Sequence, residues 1–370
     1  MNGFCIESGE NAVLKLTNLY EKYGYGKFKM SKFEEYDLYA ENKSFLKSEN
    51  VITFSDLSGK LLALKPDVTL SIVKNVKSSA QMPYKLYYNE KVYRVLRESK
   101  DYKEITQVGL EYIGQIDLYT VFEVLSLAVQ SLKAVSTSYI LDISNLRFIN
   151  GLLDETPLSA AQREKICELI SHRSAHELQA YCSQCDIKTA LISKISALSG
   201  IYGSFEKALT LARGLVVNKS MSEALTELEK VYELLKGFGM GECVNLDFSI
   251  VNDVSYYNGI IFQGFIEGVP AVVLSGGRYD NLLKKLGKDS QAIGFAVYTD
   301  ILDSYFVSDD PYDIDCVLLY SDNDDAFSVG KAAAAILSKG KSISVQKNIV
   351  KDIKAKQYYR IKNREAVEIV

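Results

Sequence analysis

Residues 104–114 read EITQVGLEYIG and form the second half of a predicted long β-hairpin whose first half is residues 83–98, PYKLYYNEKVYRVLRE. On a strand, Gln107, Gly109 and Glu111 share one face, with the amide and the carboxylate about 13 Å apart. A glycine in mid-strand is unfavourable unless something needs the space of its missing side chain. The stretch is therefore equally compatible with a binding surface and with an ordinary solvent-facing strand.

A second segment, residues 64–70, LKPDVTL, favours the binding interpretation. Its Pro66 stiffens a turn that leaves Asp67 and Thr69 on one side of the chain. Together with Gln107 and Glu111, these residues supply two carboxylates, a hydroxyl and an amide, which suit a cationic amino acid or an amine. Turn and helix-cap chemistry would account equally well for Asp67 and Thr69 taken alone.

A third segment, residues 250–265, IVNDVSYYNGIIFQGF, has the pattern of a half-buried strand behind a polar opening. The paired Tyr256 and Tyr257 follow that opening, and the segment contains no lysine, arginine or histidine. We interpret it as the mouth of a small-molecule pocket.

Composition limits the function further. Of 370 residues, 47% are hydrophobic and 24% are charged, with a formal net charge of −4. This acidic balance argues against a nucleic-acid partner, which is normally held by a basic excess. The N-terminal residues lack a signal-peptide pattern and no run of 18 apolar residues occurs, so the cytoplasm is expected.

Cysteine and histidine provide little material for a metal or catalytic site. Cys182 and Cys185 form a C-x-x-C pair, but no second pair with zinc-site spacing accompanies it. His172 and His176 are the chain's two histidines, and we interpret them as part of a solvated junction between helices. The sequence predicts no metal, no cofactor and no catalytic residue.

The element pattern predicts an α+β fold. Strand patterns dominate the core, residues 1–310, except for a helical insert at about 152–240. Asp117 is predicted to begin a helix that runs to about Val135, and Ser159 with Gln162 is predicted to form a capping box at the start of the first helix of the insert. Residues 311–370 form a small α/β tail that begins β-α-β and is predicted to end in a short helix. Within the core, strands are predicted at 244–251, 259–266 and 270–275.

The glycines 276 and 277 are predicted to form a tight turn from the last of these strands into a helix. Arg278 and Asp280 then form a local ion pair within that turn. This structural explanation is favoured over a functional role for the segment.

Five ordered motifs resemble the class II catalytic core of the histidyl-tRNA synthetase family over roughly residues 8–305. The resemblance implies an antiparallel sheet of six or seven strands flanked by helices, dimerised through its N-terminal part. The motifs are LLALKPDVTL (61–70), VYRVLRESKDYKEITQVGLEYIG (92–114), SYYNGIIFQGF (255–265), LSGGRYDNLL (274–283) and AIGFAVYTDIL (292–302).

The resemblance also implies a histidine pocket. Its residues correspond here to Thr69, Gln107, Glu111 and Tyr257, with Tyr256 beside them, and to Asp67, which replaces a glutamate in the family.

The groups that would activate the amino acid with ATP are altered. Arg94 of the second motif is retained as a possible anion contact, but Leu96 stands where the family has an acid. The family's catalytic arginine corresponds to Asn252, and the arginine that holds the ATP tail corresponds to Ile301. Since losing one such fixed donor costs about 10²–10³ in rate, the sequence predicts a pocket that holds its ligand without adenylating it.

A synthetase-like core with these losses resembles the regulatory subunits of short-form ATP phosphoribosyltransferase. That resemblance implies a hetero-octamer with the catalytic subunit, a self-dimer, and L-histidine as the effector of the first step of histidine biosynthesis. Histidine would bind either in this pocket or at the contact with the catalytic subunit. The alternatives are a divergent but active histidyl-tRNA synthetase or other amino-acid ligase, and a stand-alone histidine-sensing module.

Overall fold

The structure is a computed structural model that describes most of the chain. The described residues are 8–42, 51–77, 82–95, 101–251, 256–305, 312–348, 353–362 and 365–369. The chain divides into two compact units, Met1–Phe306 and Val307–Val370.

Within the described ranges, helices and strands alternate along the chain. The helices are α1 Gly9–Lys22, α2 Tyr36–Glu41, α3 Thr69–Asn75, α4 Leu118–Val135, α5 Leu146–Leu153, α6 Ala160–Ser171, α7 Ala175–Gln184, α8 Thr189–Leu198, α9 Phe205–Arg213, α10 Lys219–Gly237, α11 Asp280–Lys285, α12 Thr299–Tyr305 and α13 Ala326–Leu337. The strands are β1 Gly26–Lys27, β2 Phe33–Glu35, β3 Thr53–Ser55, β4 Leu61–Leu64, β5 Tyr84–Val95, β6 Tyr102–Gly114, β7 Tyr139–Asn145, β8 Tyr202–Ser204, β9 Val244–Asp247, β10 Ile260–Ile266, β11 Leu274–Arg278, β12 Gln291–Tyr298, β13 Ile314–Leu319, β14 Ile343–Gln346, β15 Ala355–Lys362 and β16 Glu365–Glu368.

The first unit is built on a nine-stranded sheet in the order β1-β5-β6-β12-β11-β10-β7-β9-β8. The strands from β5 to β7 in that order are antiparallel, whereas β1 and β9 pair parallel with their inner neighbours. The sheet is therefore larger than the expected six or seven strands. The additional edge strands β1 and β8 are only two and three residues long, too short to produce a visible alternation in the sequence.

Helices α1 and α4 cover one face of this sheet. Asp117 caps α4 by accepting a hydrogen bond from the Thr120 amide at 2.8 Å, as its helix-start pattern predicted. By length and composition α4 could cross a membrane, but 72% of it is buried inside the fold. There Leu132 packs so closely on β10 that a Cβ on Gly264 would lie 2.8 Å from it. Core burial accounts for the apolar character of the helix.

The predicted helical insert comprises α6 to α10. Ser159 and Gln162 form the expected capping box at the start of α6. The insert also contributes the short strand β8, which pairs with β9 at the edge of the main sheet. His172 and His176 are exposed at the α6–α7 junction, and Cys182 is buried in α7.

The second unit is a four-stranded sheet in the order β14-β13-β15-β16 with helix α13. The predicted β-α-β start is present, but the predicted final short helix is wrong, because the described residues there form β15 and β16. Strand β15 pairs along β13 and carries Tyr358, Tyr359 and Ile361, residue types that favour strands.

Two other expectations need correction. The third core strand is Leu274–Arg278 rather than 270–275, so Gly276 and Gly277 lie inside a strand and not in a turn. A Cβ on Gly277 would lie 2.8 Å from the Tyr257 ring, which explains why glycine is needed there. The predicted ion pair between Arg278 and Asp280 is present at 2.9 Å.

Candidate functional site: an acidic, tyrosine-lined cavity

The site lies on the sheet face opposite α1 and α4. Tyr20 of α1 packs edge-on against Phe295 of β12 at a ring-centroid distance of 5.9 Å. Side chains alternate along a strand, so Gly294 and Ala296 point to the other side. Both line a cavity there, together with all six residues predicted to bind histidine and Arg94.

Glu111 lies at the centre of the cavity wall and is 2% exposed. Its Oε1 accepts a hydrogen bond from the Thr69 hydroxyl at 2.7 Å, and its Oε2 accepts one from the Tyr279 hydroxyl at 2.6 Å. Burial raises the pKa of Glu111 to about 8, although these two hydroxyls favour its charged form. Burial removes the water that would stabilise the charged form of this carboxylate. A ligand that brings positive charge beside it would stabilise that form instead.

Directly across the ladder from Glu111 stands Gly294 of β12. A Cβ on Gly294 would lie 1.8 Å from Glu111 Oε2, so the carboxylate occupies the space above this glycine. Gly109 has a similar role, because its Cβ would lie 2.5 Å from the hydroxyl of Tyr88 on β5. The predicted gap above Gly109 is therefore taken up by a tyrosine of the protein.

Asp67 and Thr69 enter the site from the start of α3. Asp67 Oδ1 accepts a hydrogen bond from the Leu70 amide at 2.8 Å, while Thr69 reaches Glu111. The turn and helix-cap chemistry expected for Asp67 is therefore present, and the same turn brings both side chains to the cavity, while ligand binding by these residues stays a prediction.

Tyr256 and Tyr257 close the opposite side. Their rings meet edge-on at 4.7 Å, and the Tyr256 ring lies 5.6 Å from that of Tyr279. Burial raises the pKa of Tyr256 and Tyr279 well above the usual tyrosine value, so both hydroxyls stay neutral. They can then donate or accept hydrogen bonds without adding charge.

Positive charge is scarce in the site. Arg94 is the one cationic side chain among the described residues that line the cavity, and its Nε donates to the Pro66 carbonyl at 3.0 Å. Ile301 lies in α12, where it packs against the core. Leu96 and Asn252 lie outside the described residues.

The cavity has a volume of about 30 Å³, roughly the share of one water molecule in the liquid. It is too small for an amino acid, so binding one requires the surrounding side chains to move.

Sequence reasoning did not identify Tyr88, Tyr279 and Gly294 as part of the site. Tyr279 lies within the GGRYD motif, and Gly294 within AIGF, so the motifs contained a signal that spacing alone could not interpret.

Comparison with known proteins shows the family of the chain. Residues 6–302 match the family model described as histidyl-tRNA synthetase. An "ATP phosphoribosyltransferase regulatory subunit" from Thermoanaerobacter pseudethanolicus is 31% identical over 288 residues, covering 76% of this chain and 74% of that protein.

Two solved structures share the fold. One, from Bacillus halodurans C, is described as an ATP phosphoribosyltransferase regulatory subunit/histidyl-tRNA synthetase; it is 26% identical, with a TM-score of 0.78, covering 91% of this chain and 88% of that chain. The other is a chain of the ATP phosphoribosyl transferase (HisG:HisZ) complex from Thermotoga maritima, 18% identical with a TM-score of 0.61, covering 78% of this chain and 96% of that chain. At that identity the second likeness concerns the fold alone.

The family model matches residues 6–302, most of the first unit, and the relative is above 30% identity over three quarters of the chain. The chain belongs to the histidyl-tRNA synthetase family and, within it, to the ATP phosphoribosyltransferase regulatory subunits.

Proposed function

We propose that this chain is the non-catalytic regulatory subunit of a short-form ATP phosphoribosyltransferase in the cytoplasm. It would be required for full activity in the first step of L-histidine biosynthesis and for feedback inhibition by histidine. Its partner would be the catalytic subunit, in a hetero-octamer of four regulatory and four catalytic chains built on a regulatory self-dimer.

The observation that carries this proposal is the buried carboxylate of Glu111, which accepts hydrogen bonds from two hydroxyls and forms no ion pair with any described cation. A buried acid without a charged partner is costly to ionise, and a ligand with an ammonium or imidazole N–H would relieve that cost. Gln107 adds an amide and Asp67 a second carboxylate within the same cavity. These groups suit histidine. The family resemblance that identifies these residues also implies histidine as their ligand.

The non-catalytic part of the proposal rests on charge. Adenylation places negative charge on the α-phosphate and requires fixed cations around it. Ile301 offers an alkyl group where the family has an arginine, and Arg94 already donates from Nε to a backbone carbonyl. In the sequence, Asn252 and Leu96 stand at two further positions where the family has a charged residue.

Regulation follows from linkage between two binding events. Histidine inhibits only to the extent that it binds the low-activity arrangement of the complex more tightly. A coupling free energy of about 1–3 kcal/mol changes affinity by about 5- to 150-fold, enough for feedback control.

The direct test is to mix the purified chain with a short-form catalytic subunit and to measure phosphoribosyl-ATP formation with and without L-histidine. We expect the chain to raise the rate and histidine to lower it. The absence of both a complex and a rate change would refute the proposal. Histidine-dependent exchange of pyrophosphate into ATP by the isolated chain would favour an active synthetase instead.

Variants of the cavity test the position of the effector. Gln107→Ala and Glu111→Ala should each weaken histidine binding measured by calorimetry, whereas Glu104→Ala, an exposed acid on the same strand, should not. Unchanged histidine affinity in both cavity variants would indicate that the effector binds at the contact with the catalytic subunit instead.

A gain-of-function variant tests the missing charges. The double variant Asn252→Arg with Ile301→Arg should still lack pyrophosphate exchange, because Leu96 also differs from the family. Measurable exchange in that variant would show that these two positions alone account for the inactivity.

A further inference from the structure

A second cavity, of about 620 Å³, lies on the side of the first unit that carries α1 and α4. It is lined by one side of α1, by the C-terminal half of α4 and by the turn that follows α10. We call it the basic groove and define it by Lys15, Lys22, Lys133 and Phe238.

The charge of the groove contrasts with that of the chain. Three lysines line it, and the described lining residues include no aspartate or glutamate, although the chain as a whole has a net charge of −4. Lys22 and Lys133 also make no ion pair with any described residue. Both lie in the last turn of a helix, where a positive charge offsets the helix dipole.

An exposed aromatic residue stands at the rim. Phe238 follows the last residue of α10 and is 68% exposed. The next residue, Gly239, has a left-handed backbone with φ of 75°, and the Phe238 ring rests on Phe122 at 5.1 Å. An aromatic side chain held outward on a glycine turn is typical of an anchor residue in a protein interface.

The floor of the groove is apolar, with Leu19, Val129 and Met240 among its lining residues. Basic side chains around an apolar floor complement a segment that is both acidic and amphipathic. A small anion would satisfy the lysines but would leave the exposed Phe238 ring without a role.

We propose that the basic groove docks an acidic, amphipathic segment of the catalytic subunit. This inference rests on the proposed function and adds the surface through which the two chains meet. The groove and the histidine cavity lie on opposite faces of one sheet, so both can be occupied at the same time. Phe295 lies between α1 and the cavity, because its ring packs against Tyr20 of α1 while its neighbours Gly294 and Ala296 line the cavity.

The test compares the affinity of the full chain and its variants for the catalytic subunit by calorimetry. Lys22→Glu with Lys133→Glu should weaken the complex at least about tenfold, and Phe238→Ser should weaken it by a similar factor. The matched controls are Lys188→Glu and Leu211→Ser, which change an exposed lysine and an exposed leucine elsewhere on the insert and should leave affinity unchanged. The effect of the charge reversal should shrink as salt shortens the Debye length from about 10 Å at 0.1 M to about 3 Å at 1 M.

Folding is checked by the melting temperature and by histidine binding in the cavity on the opposite face. If reversal of Lys22 and Lys133 unfolds the chain, the milder double change to glutamine should still weaken the complex. If the lysine and Phe238 variants bind the catalytic subunit as tightly as the wild-type chain does, the groove proposal is overturned. The proposed function would then still stand. If a nucleotide or inorganic phosphate occupies the groove and the affinity of the chain for the catalytic subunit stays unchanged, the groove proposal would also be overturned. Failure of the wild-type chain to bind the catalytic subunit would refute both proposals.

Discussion

The protonation of Glu111 should make the stability of the ligand-free protein fall as pH rises. Burial raises the pKa of this carboxyl from 4.5 to about 8 in the folded chain, whereas in the unfolded chain water restores the ordinary value. Between these two values the folded state holds one proton more than the unfolded state. The free energy of unfolding therefore decreases with increasing pH across this window.

The size of the effect follows from the difference in pKa. Each pKa unit corresponds to about 1.4 kcal/mol, so a difference of about 3.5 amounts to at most about 5 kcal/mol by pH 8. That is a substantial part of the 5–15 kcal/mol that typically separates folded from unfolded domains. Glu111→Gln carries no titratable proton and loses this dependence. Its stability relative to the parent should rise by about 1.4 kcal/mol per pH unit between pH 5 and about 8, then level off.

Urea unfolding followed by circular dichroism, at intervals from pH 5 to 9 without histidine, measures this difference. Glu104→Gln is the matched control, since it makes the same change on the same strand. Pairing with Lys91 lowers the pKa of Glu104, so its contribution varies only below that window. A difference between Glu111→Gln and the parent that stays flat from pH 5 to 8 would refute the reasoning, because Glu111 would then be ionised in the folded chain.

Two further substitutions test the packing of the site and its surroundings. Gly294→Ala places a Cβ 1.8 Å from a Glu111 oxygen and should displace that carboxylate, destabilising the fold by about 1–3 kcal/mol and abolishing histidine binding in calorimetry. Gly330→Ala, in helix α13 with no heavy atom near its added Cβ, is the control, and equal effects of the two changes would contradict the packing argument. Arg173→Ala removes the guanidinium that pairs with the buried Asp247 at 2.5 Å and should lower the free energy of unfolding by about 1–3 kcal/mol in urea denaturation. An unchanged midpoint would show that water replaces this ion pair at no cost.

Much of the fold was accessible from local patterns. The alternation around Gly109, the capping residue Asp117 and the capping box at Ser159 each act within a few residues of the chain, and each predicted its element correctly. The errors occurred where local patterns are weak. Gly276 and Gly277 suggest a turn in sequence, but they lie in a strand because Tyr257 needs the space above it.

The candidate site divides in the same way. Asp67, Thr69, Gln107 and Glu111 were identified from strand alternation, turn chemistry and family motifs, and the structure brings them to one cavity. Tyr279 was missed because it lies 168 residues from Glu111 along the chain and reaches it only through the order of strands in the sheet.

The sequence by itself determined which side chains share a face of each element and which charges the chain no longer carries, because both are properties of residue identity and spacing. Tertiary structure alone decided that Glu111 is held by two hydroxyls without an ion pair to any described cation, and that its carboxylate lies above Gly294. Those facts depend on strand register and burial across the sheet. Register and burial bring distant segments together and set the electrostatic environment that no single stretch of the chain contains.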